Sequence, residues 1–158
     1  MPHVDVKSKN IKPDDGLFQF KKWRMEVDKS LLDSPTLPPK KAKALMNTTY
    51  HEARHAEQWF TAAQSQAAAP GATGPGVATA MGIPPNVGNA AAAKPLPANS
   101  SPPAVLGQAV NQSVYGSGRA QREKILKHTG SKTGYARYRG LPEEQDAWRT
   151  GDGTDACP

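Results

Sequence analysis

The chain has 158 residues, of which 37% are hydrophobic and 6% aromatic, and this suffices for one domain with a modest core. Its single cysteine, Cys157, excludes an intramolecular disulfide and a metal site built from several cysteines. A formal charge of +6 permits binding to nucleic acid, anionic lipid or an acidic polymer without choosing among them. No apolar run approaches the roughly 20 residues that span a bilayer, and the amino end lacks a signal-peptide pattern.

The first part of the chain divides into a polar segment and a periodic one. Residues 1–16 contain turn-forming residues and predict a linker or an extended lead-in. Between 17 and 32, apolar residues recur at three- and four-residue steps, which predicts a helix; they are Phe20, Trp23, Val27 and Leu31. This spacing favours a role for Trp23 as a core anchor over a role as a substrate contact. A second helix is predicted over about 40–69, because two prolines suit its first positions.

The remaining segments predict further helices joined by loops. Residues 70–103 are rich in Ala, Gly and Pro and predict a long loop segment with one short helix near 85–93. Residues 103–128 predict one or two helices, with Val105 on the apolar face of the first and Ile125 and Leu126 buried in the second. A basic loop, or a short extended stretch, is expected over 130–140. A final helix begins near 141, and residues 151–158 form a loose tail. No segment alternates convincingly like a strand, so the fold class is mainly α.

The sequence H-E-x-x-H occurs in the most clearly helical segment, at His51, Glu52 and His55. Residues four apart share one face of a helix, so both imidazoles can bind one ion. Neutral imidazole is a good zinc ligand, and a catalytic zinc site has three protein ligands and a water. Glu52 lies beside the ion and can take a proton from that water. The motif therefore predicts a zinc (Zn²⁺) hydrolase, most simply a peptidase.

The third ligand must come from elsewhere, because position 58 is Gln and the extended metal-binding motif is absent. Glu57 faces away from the histidines. Acidic and histidine residues further along the chain are possible: His128, Glu143, Glu144 and Asp146. Glu143 and Glu144 point about 100° apart on a helix, and spacing alone leaves the two nearly equal.

Three blocks together resemble a bacterial family, the zinc metallopeptidase effector domains of the type VI secretion system, such as those at the C-terminus of VgrG spike proteins. The blocks are YHEARHAEQWF at 50–60, MGIP at 81–84 and YRGLPEEQDAW at 138–148. The resemblance covers roughly residues 17–150, and it implies that these residues form the metallopeptidase domain. It implies that Glu144 is the third ligand, in a gluzincin-like arrangement. The expected fold is thus one small helical domain with a zincin-like active-site helix.

The resemblance also implies a biological role. The domain would be an antibacterial toxin that a spike carrier delivers into the periplasm of a neighbouring cell, where it cuts a peptide or protein substrate. A cognate immunity protein would protect the producer. Whether the target is a protein, a cell-wall peptide or the carrier itself stays open.

In the predicted mechanism, zinc activates a water, and Glu52 takes its proton and returns it to the leaving amine. An oxyanion donor is sought among residues upstream of Glu144, namely His128, Tyr135, Tyr138 and Arg139. Tyr138 is the preferred donor. An alternative role for Tyr138, packing beneath the loop, agrees equally well with the sequence. Gln58 is expected to orient a ligand or cap a backbone group.

Two other functions are compatible with the sequence. Residues 119–139 carry seven Lys or Arg against the single acid Glu123, with Tyr135 and Tyr138 interleaved, as in a nucleic-acid-binding segment. A solvated helix face is the favoured interpretation of that segment. Alternatively, zinc is purely structural, although structural sites usually use four protein ligands and only three good ones are found here.

Overall fold

The computed structural model describes residues 1–33 and 35–152. These residues form three strands, β1 (Asp5–Lys9), β2 (Gly16–Gln19) and β3 (Arg24–Asp28), and eight α-helices. The helices are α1 (Lys29–Leu32), α2 (Pro39–Ala67), α3 (Gly74–Met81), α4 (Pro85–Ala92), α5 (Pro102–Val114), α6 (Arg119–Leu126), α7 (Lys132–Arg139) and α8 (Pro142–Asp152). Helix makes up 60% of the structure, so the mainly helical prediction is confirmed.

The helix predicted over 17–32 is wrong, and so is the expectation that the chain lacks strands. Strand β2 leads through a 3₁₀ turn, Phe20–Lys22, into β3, and Trp23 joins them with a left-handed φ of 50°. Because the chain reverses there, the three- and four-residue steps run across a turn and only imitate a helix. Trp23 is a core anchor as predicted, with its ring 5.2 Å from Phe18 and 6.4 Å from Phe60.

The strands form one small sheet in the order β1-β3-β2, with β1 parallel and β2 antiparallel to β3. Strand β1 lies within the segment predicted as a lead-in, residues 1–16. Strand β2 is an edge strand and packs beside α2. Gly16 makes this approach possible, because a Cβ there would overlap Cγ2 of Thr48 and lie 3.1 Å from Cγ of Glu52.

Helix α2 is the central element, and the structure confirms the helix predicted over about 40–69. Pro39 occupies its first turn, where a missing N–H costs nothing. Its buried side contributes Ala56, Trp59, Phe60, Ala62 and Ala63 to the main core. Helices α3, α4, α5 and α8 all pack against it.

The Ala/Gly/Pro-rich segment is more ordered than the predicted long loop. Helix α4 confirms the short helix expected near 85–93, and α3 is an additional helix. Both insert buried side chains into the core, among them Val77, Met81 and Val87. Their close packing explains the small residues, since a Cβ on Gly88 would overlap the carbonyl oxygen of Gly74.

The C-terminal third contains α5 to α8. Helices α5 and α6 confirm the two pieces predicted over 103–128, but Val105 is 52% exposed and neither Ile125 nor Leu126 is buried. The predicted loop or extended stretch at 130–140 is wrong, because α7 occupies it. Ser131 caps α7 by accepting a hydrogen bond from the backbone N–H of Gly134.

Helix α8 begins one residue after the predicted start near 141. Of the predicted tail, residues 151–152 belong to α8 and residues 153–158, with Cys157, lie outside the described residues. None of the helices described is both long enough and apolar enough to cross a bilayer.

Replacing Gly16 with Ala tests the close approach of β2 to α2. We expect Gly16→Ala to lower the free energy of unfolding by about 1–3 kcal/mol, the usual cost of overpacking, in a denaturant titration. Thr48→Ser in the same chain removes the overlapping methyl group and should recover part of the loss. Gly130→Ala is the matched control, because no atom lies within 4 Å of its added Cβ. Equal effects at Gly16 and Gly130 would contradict the packing.

Candidate metal centre

His51 and His55 lie one turn apart near the middle of α2, on the side that faces α8. Both side chains are almost fully buried, with 9% and 8% of their surface exposed. Their Nε2 atoms are 3.1 Å apart, and the rings meet edge to face. The helical spacing predicted from the motif therefore brings both imidazoles to one point.

Glu144 approaches the same point from the first turn of α8. Leu141 and Ala147 are buried and hold α8 against the rest of the domain. The carboxylate of Glu144 places Oε1 3.5 Å from Nε2 of His55 and Oε2 3.6 Å from Nε2 of His51. The three side chains form a triad that could hold a metal ion.

One ligand atom from each of the three side chains can be chosen so that the atoms lie within 4.8 Å of one another. Bonds of about 2.0–2.1 Å at tetrahedral angles require ligand atoms about 3.3 Å apart. The two Nε2 atoms, 3.1 Å apart, lie near that value, whereas Glu144 meets the histidines through a different oxygen for each, at 3.5 and 3.6 Å. In addition, Oε2 of Glu144 is buried without any hydrogen-bond partner, which is costly unless a cation compensates it.

Gln58 determines which nitrogen of His55 faces the triad. Its amide nitrogen donates to two acceptors, the carbonyl oxygen of Glu143 at 2.8 Å and Oδ2 of Asp146 at 2.7 Å. Its Oε1 is therefore the atom that lies 2.9 Å from Nδ1 of His55, and Nδ1 must carry the proton. The lone pair on Nε2 then points to the triad, as metal binding requires. The expectation that Gln58 orients a ligand matches these contacts.

Charges within the triad reinforce one another. Burial by itself would raise the pKa of Glu144, but the neighbouring His51 and His55 outweigh it and lower the pKa to about 2. Burial likewise opposes protonation of His55, whereas the Glu144 carboxylate raises its pKa overall. Glu144 is thus ionised and ready to bind a cation.

Glu52 lies next to the triad and is not part of it. Its buried carboxylate accepts a hydrogen bond of 2.6 Å from the backbone N–H of Phe18, on the outer edge of β2. Burial raises the pKa of Glu52, while the neighbouring His55, His51 and the Phe18 N–H act in the opposite direction. The edge strand therefore fixes the side chain beside the histidines.

Glu52 lines two cavities. The larger has a volume of about 410 Å³ and the smaller about 310 Å³. Their linings share five residues, which are Asp14, Gly16, His51, Glu52 and Tyr138. We call the two together the groove; its size is that of a small-ligand or peptide site.

Among the proposed oxyanion donors, the structure brings Tyr138 to the groove. It is half-buried on α7, and burial together with the charge of Glu144 raises the pKa of its hydroxyl, so that it stays protonated. Tyr135 lines only the larger cavity. The guanidinium of Arg139 lies 4.3 Å from the ring centre of Trp148, and His128 binds the carbonyl oxygen of Lys124 in a separate cavity.

The other acidic candidates for the third ligand are engaged elsewhere. Glu143 is fully buried and accepts from Nε of Arg122 at 2.6 Å and from Ser113 at 3.0 Å. Asp146 accepts two hydrogen bonds from the guanidinium of Arg54 and one from the side-chain amide of Gln58.

Two participants in the site have no signature in the sequence. The N–H of Phe18 belongs to β2, where the apolar spacing predicts a helix, and a backbone group cannot be recognised from residue types. Arg122 is one cation of a basic stretch in the sequence, whereas in the structure it pairs with Glu143.

No protein-family model matches this chain, and no match was found among curated proteins or solved structures. The chemistry assigned to the site therefore depends on the residues and their geometry.

The adjacent residues Glu144 and Glu143 provide a matched test of the third ligand. We expect Glu144→Ala to lower bound zinc and, with it, the thermal stability, because binding to the folded state is linked to folding. Glu143→Ala should keep zinc but lose about 3 kcal/mol, since Arg122 is left partly buried without its partner. Metal analysis measures the zinc bound by each variant, and thermal melting with and without a chelator shows how much of its stability depends on that zinc. Loss of zinc in Glu143→Ala alone would reverse the ligand assignment.

A second variant tests the contact between Gln58 and His55. Gln58→Leu keeps the approximate size but cannot accept from Nδ1, so zinc affinity should fall about 10–100-fold in competition with a chromophoric chelator. Gln64 lies on the same helix, and within the part of the chain that the structure describes its side chain donates to the carbonyl oxygen of Lys94, so Gln64→Leu should leave that affinity unchanged. Equal affinities in both variants would mean that Gln58 does not orient the ligand.

Proposed function

We propose that this chain is a zinc-dependent peptidase whose ligands are His51, His55 and Glu144. The observation that carries the proposal is the convergence of the three side chains, whose ligand atoms lie within 4.8 Å of one another, beside a groove that contains the carboxylate of Glu52. Structural zinc sites usually use four protein ligands, whereas three ligands beside an open groove suit a catalytic site.

Each residue has a defined part in the reaction. Zinc would supply a water of lowered pKa and polarise the substrate carbonyl. Glu52 accepts a proton from that water as its oxygen bonds to the carbonyl carbon, and then gives the proton to the nitrogen as the C–N bond breaks. Tyr138 stays protonated beside Glu144 and can donate a hydrogen bond to the developing oxyanion.

The arrangement supports the zincin-like interpretation of the motif. A long helix carries two histidines and the base, and a later helix supplies a glutamate. An edge strand, β2, runs along the same groove. An extended peptide is a natural occupant of such a place, because it can lie alongside a strand.

The biological role rests on the sequence resemblance to type VI secretion effectors. We propose that a spike carrier delivers the domain to the periplasm of a target bacterium, where it cleaves a peptide or protein, and that an immunity protein protects the producer.

Nucleic-acid binding by residues 119–139 is less favoured. Several of the basic side chains there have protein partners: Arg119 pairs with Glu123, and Arg122 pairs with Glu143. Arg139 lies over Trp148. These contacts leave fewer cations for phosphate groups.

Replacing the base separates catalysis from folding. Glu52→Gln should retain zinc and the fold but lose about 10²–10⁴-fold in peptide hydrolysis, the usual contribution of a general base. The same variant should no longer kill when it is directed to the periplasm. Glu57→Gln is the control, because Glu57 lies on the same helix and, among the described residues, its carboxylate pairs with Arg54 at the surface. Undiminished killing by Glu52→Gln would rule out the mechanism.

A further inference from the structure

The two cavities beside Glu52 have different walls, although they meet at a common boundary. The smaller cavity has apolar side chains beside the three triad residues and Glu52; they are Leu17, Phe18, Phe20, Trp59 and Leu126. Leu17 and Leu126 are 43% and 37% exposed at this cavity. Exposed leucines that face one cavity are suited to cover an apolar side chain of a ligand.

The boundary between the cavities is acidic. Asp14 lines both cavities, is exposed, and has no ion-pair partner among the residues that the structure describes. Its neighbour Asp15, in contrast, pairs with Lys12 at 3.0 Å. The carboxylates of Glu52 and Glu144 also face the groove. Asp14 is therefore the carboxylate available to a ligand at the point where the cavities join.

Positive charge is scarce in the same place. Within the described part of the chain, Arg122 is the one Lys or Arg that lines either cavity. Its Nε is bonded to the buried Glu143 at 2.6 Å. The chain as a whole carries a formal charge of +6, whereas the side chains that line the groove include more acids than bases. Zinc bound by the triad would offset the charges of Glu144 and Glu52, and Asp14 lies outside the triad. Acidic substrates and phosphate backbones meet no complementary side chain there.

We propose that the groove selects a peptide in which a lysine- or arginine-type side chain lies against Asp14, next to the bond that faces Glu52. An apolar side chain of the same peptide contacts Leu17 and Leu126 on the wall of the smaller cavity. This proposal rests on the peptidase function and adds the class of substrate. Asp14 acts as a specificity residue and takes no part in bond breaking.

The test begins with the zinc-loaded wild-type chain and a mixture of synthetic peptides whose cleavage products are identified by mass spectrometry. We expect the cleaved bonds to be flanked by Lys or Arg. One cleaved peptide is then made in three versions, with Lys, Gln or Glu at the selected position. Wild type should prefer Lys over Gln, and Gln over Glu, in kcat/KM.

Charge changes at Asp14 assign that preference to one residue. Asp14→Asn should reduce the Lys-to-Gln ratio of kcat/KM about fivefold, the scale of a solvent-accessible ion pair. Asp14→Lys should invert the order and favour the Glu version. Asp5→Asn removes the same charge on β1, at the opposite edge of the sheet, and should leave the ratio unchanged.

The outcomes distinguish this proposal from the function on which it rests. Cleavage without a cationic preference, or an unchanged Lys-to-Gln ratio in Asp14→Asn, would overturn the substrate class and leave the peptidase intact. Failure of the zinc-loaded wild type to cleave any peptide in the mixture would overturn both.

Discussion

The hydrogen bonds of Gln58 connect the two parts of the candidate metal centre. One side chain on α2 accepts from His55 and donates to the main chain and a side chain of α8. It is fully buried, so each of these groups would pay a desolvation cost if the contact were lost. The bidentate pair between Arg54 and Asp146 strengthens the same junction. The position of Glu144 relative to the histidines depends on this junction.

The adjacent residues Glu143 and Glu144 have different partners because the packing of α8 directs their side chains to different places. Glu143 points into the domain, where Arg122 and Ser113 satisfy both carboxylate oxygens. Glu144, next to it, points to the histidines with one oxygen unsatisfied. Both side chains are buried, and only their directions on α8 differ. Burial alone would therefore not have distinguished the ligand from the structural ion pair.

Local signals predicted the helices better than the sheet. Prolines and regular apolar spacing indicated α2, α4 and α8, because both signals lie within the element itself. The sheet was missed because β1 pairs with β3 across an intervening strand and turn, and this pairing depends on non-local contacts. In the site, the four-residue spacing of His51 and His55 is sufficient to predict that the two imidazoles meet at one point. Glu144 could not be chosen over Glu143 by spacing, since the choice depends on which side of α8 packs against α2.

Helices α6 and α7 are the most weakly anchored part of the site. Helix α6 buries none of its residues, and α7 buries only Gly134. Segments with few buried contacts open locally at lower free energy than the whole domain. Tyr138 lies on α7, whereas the three triad residues lie on α2 and α8, which pack against each other. A local opening of these two helices would therefore widen the groove on the tyrosine side without displacing His51, His55 or Glu144.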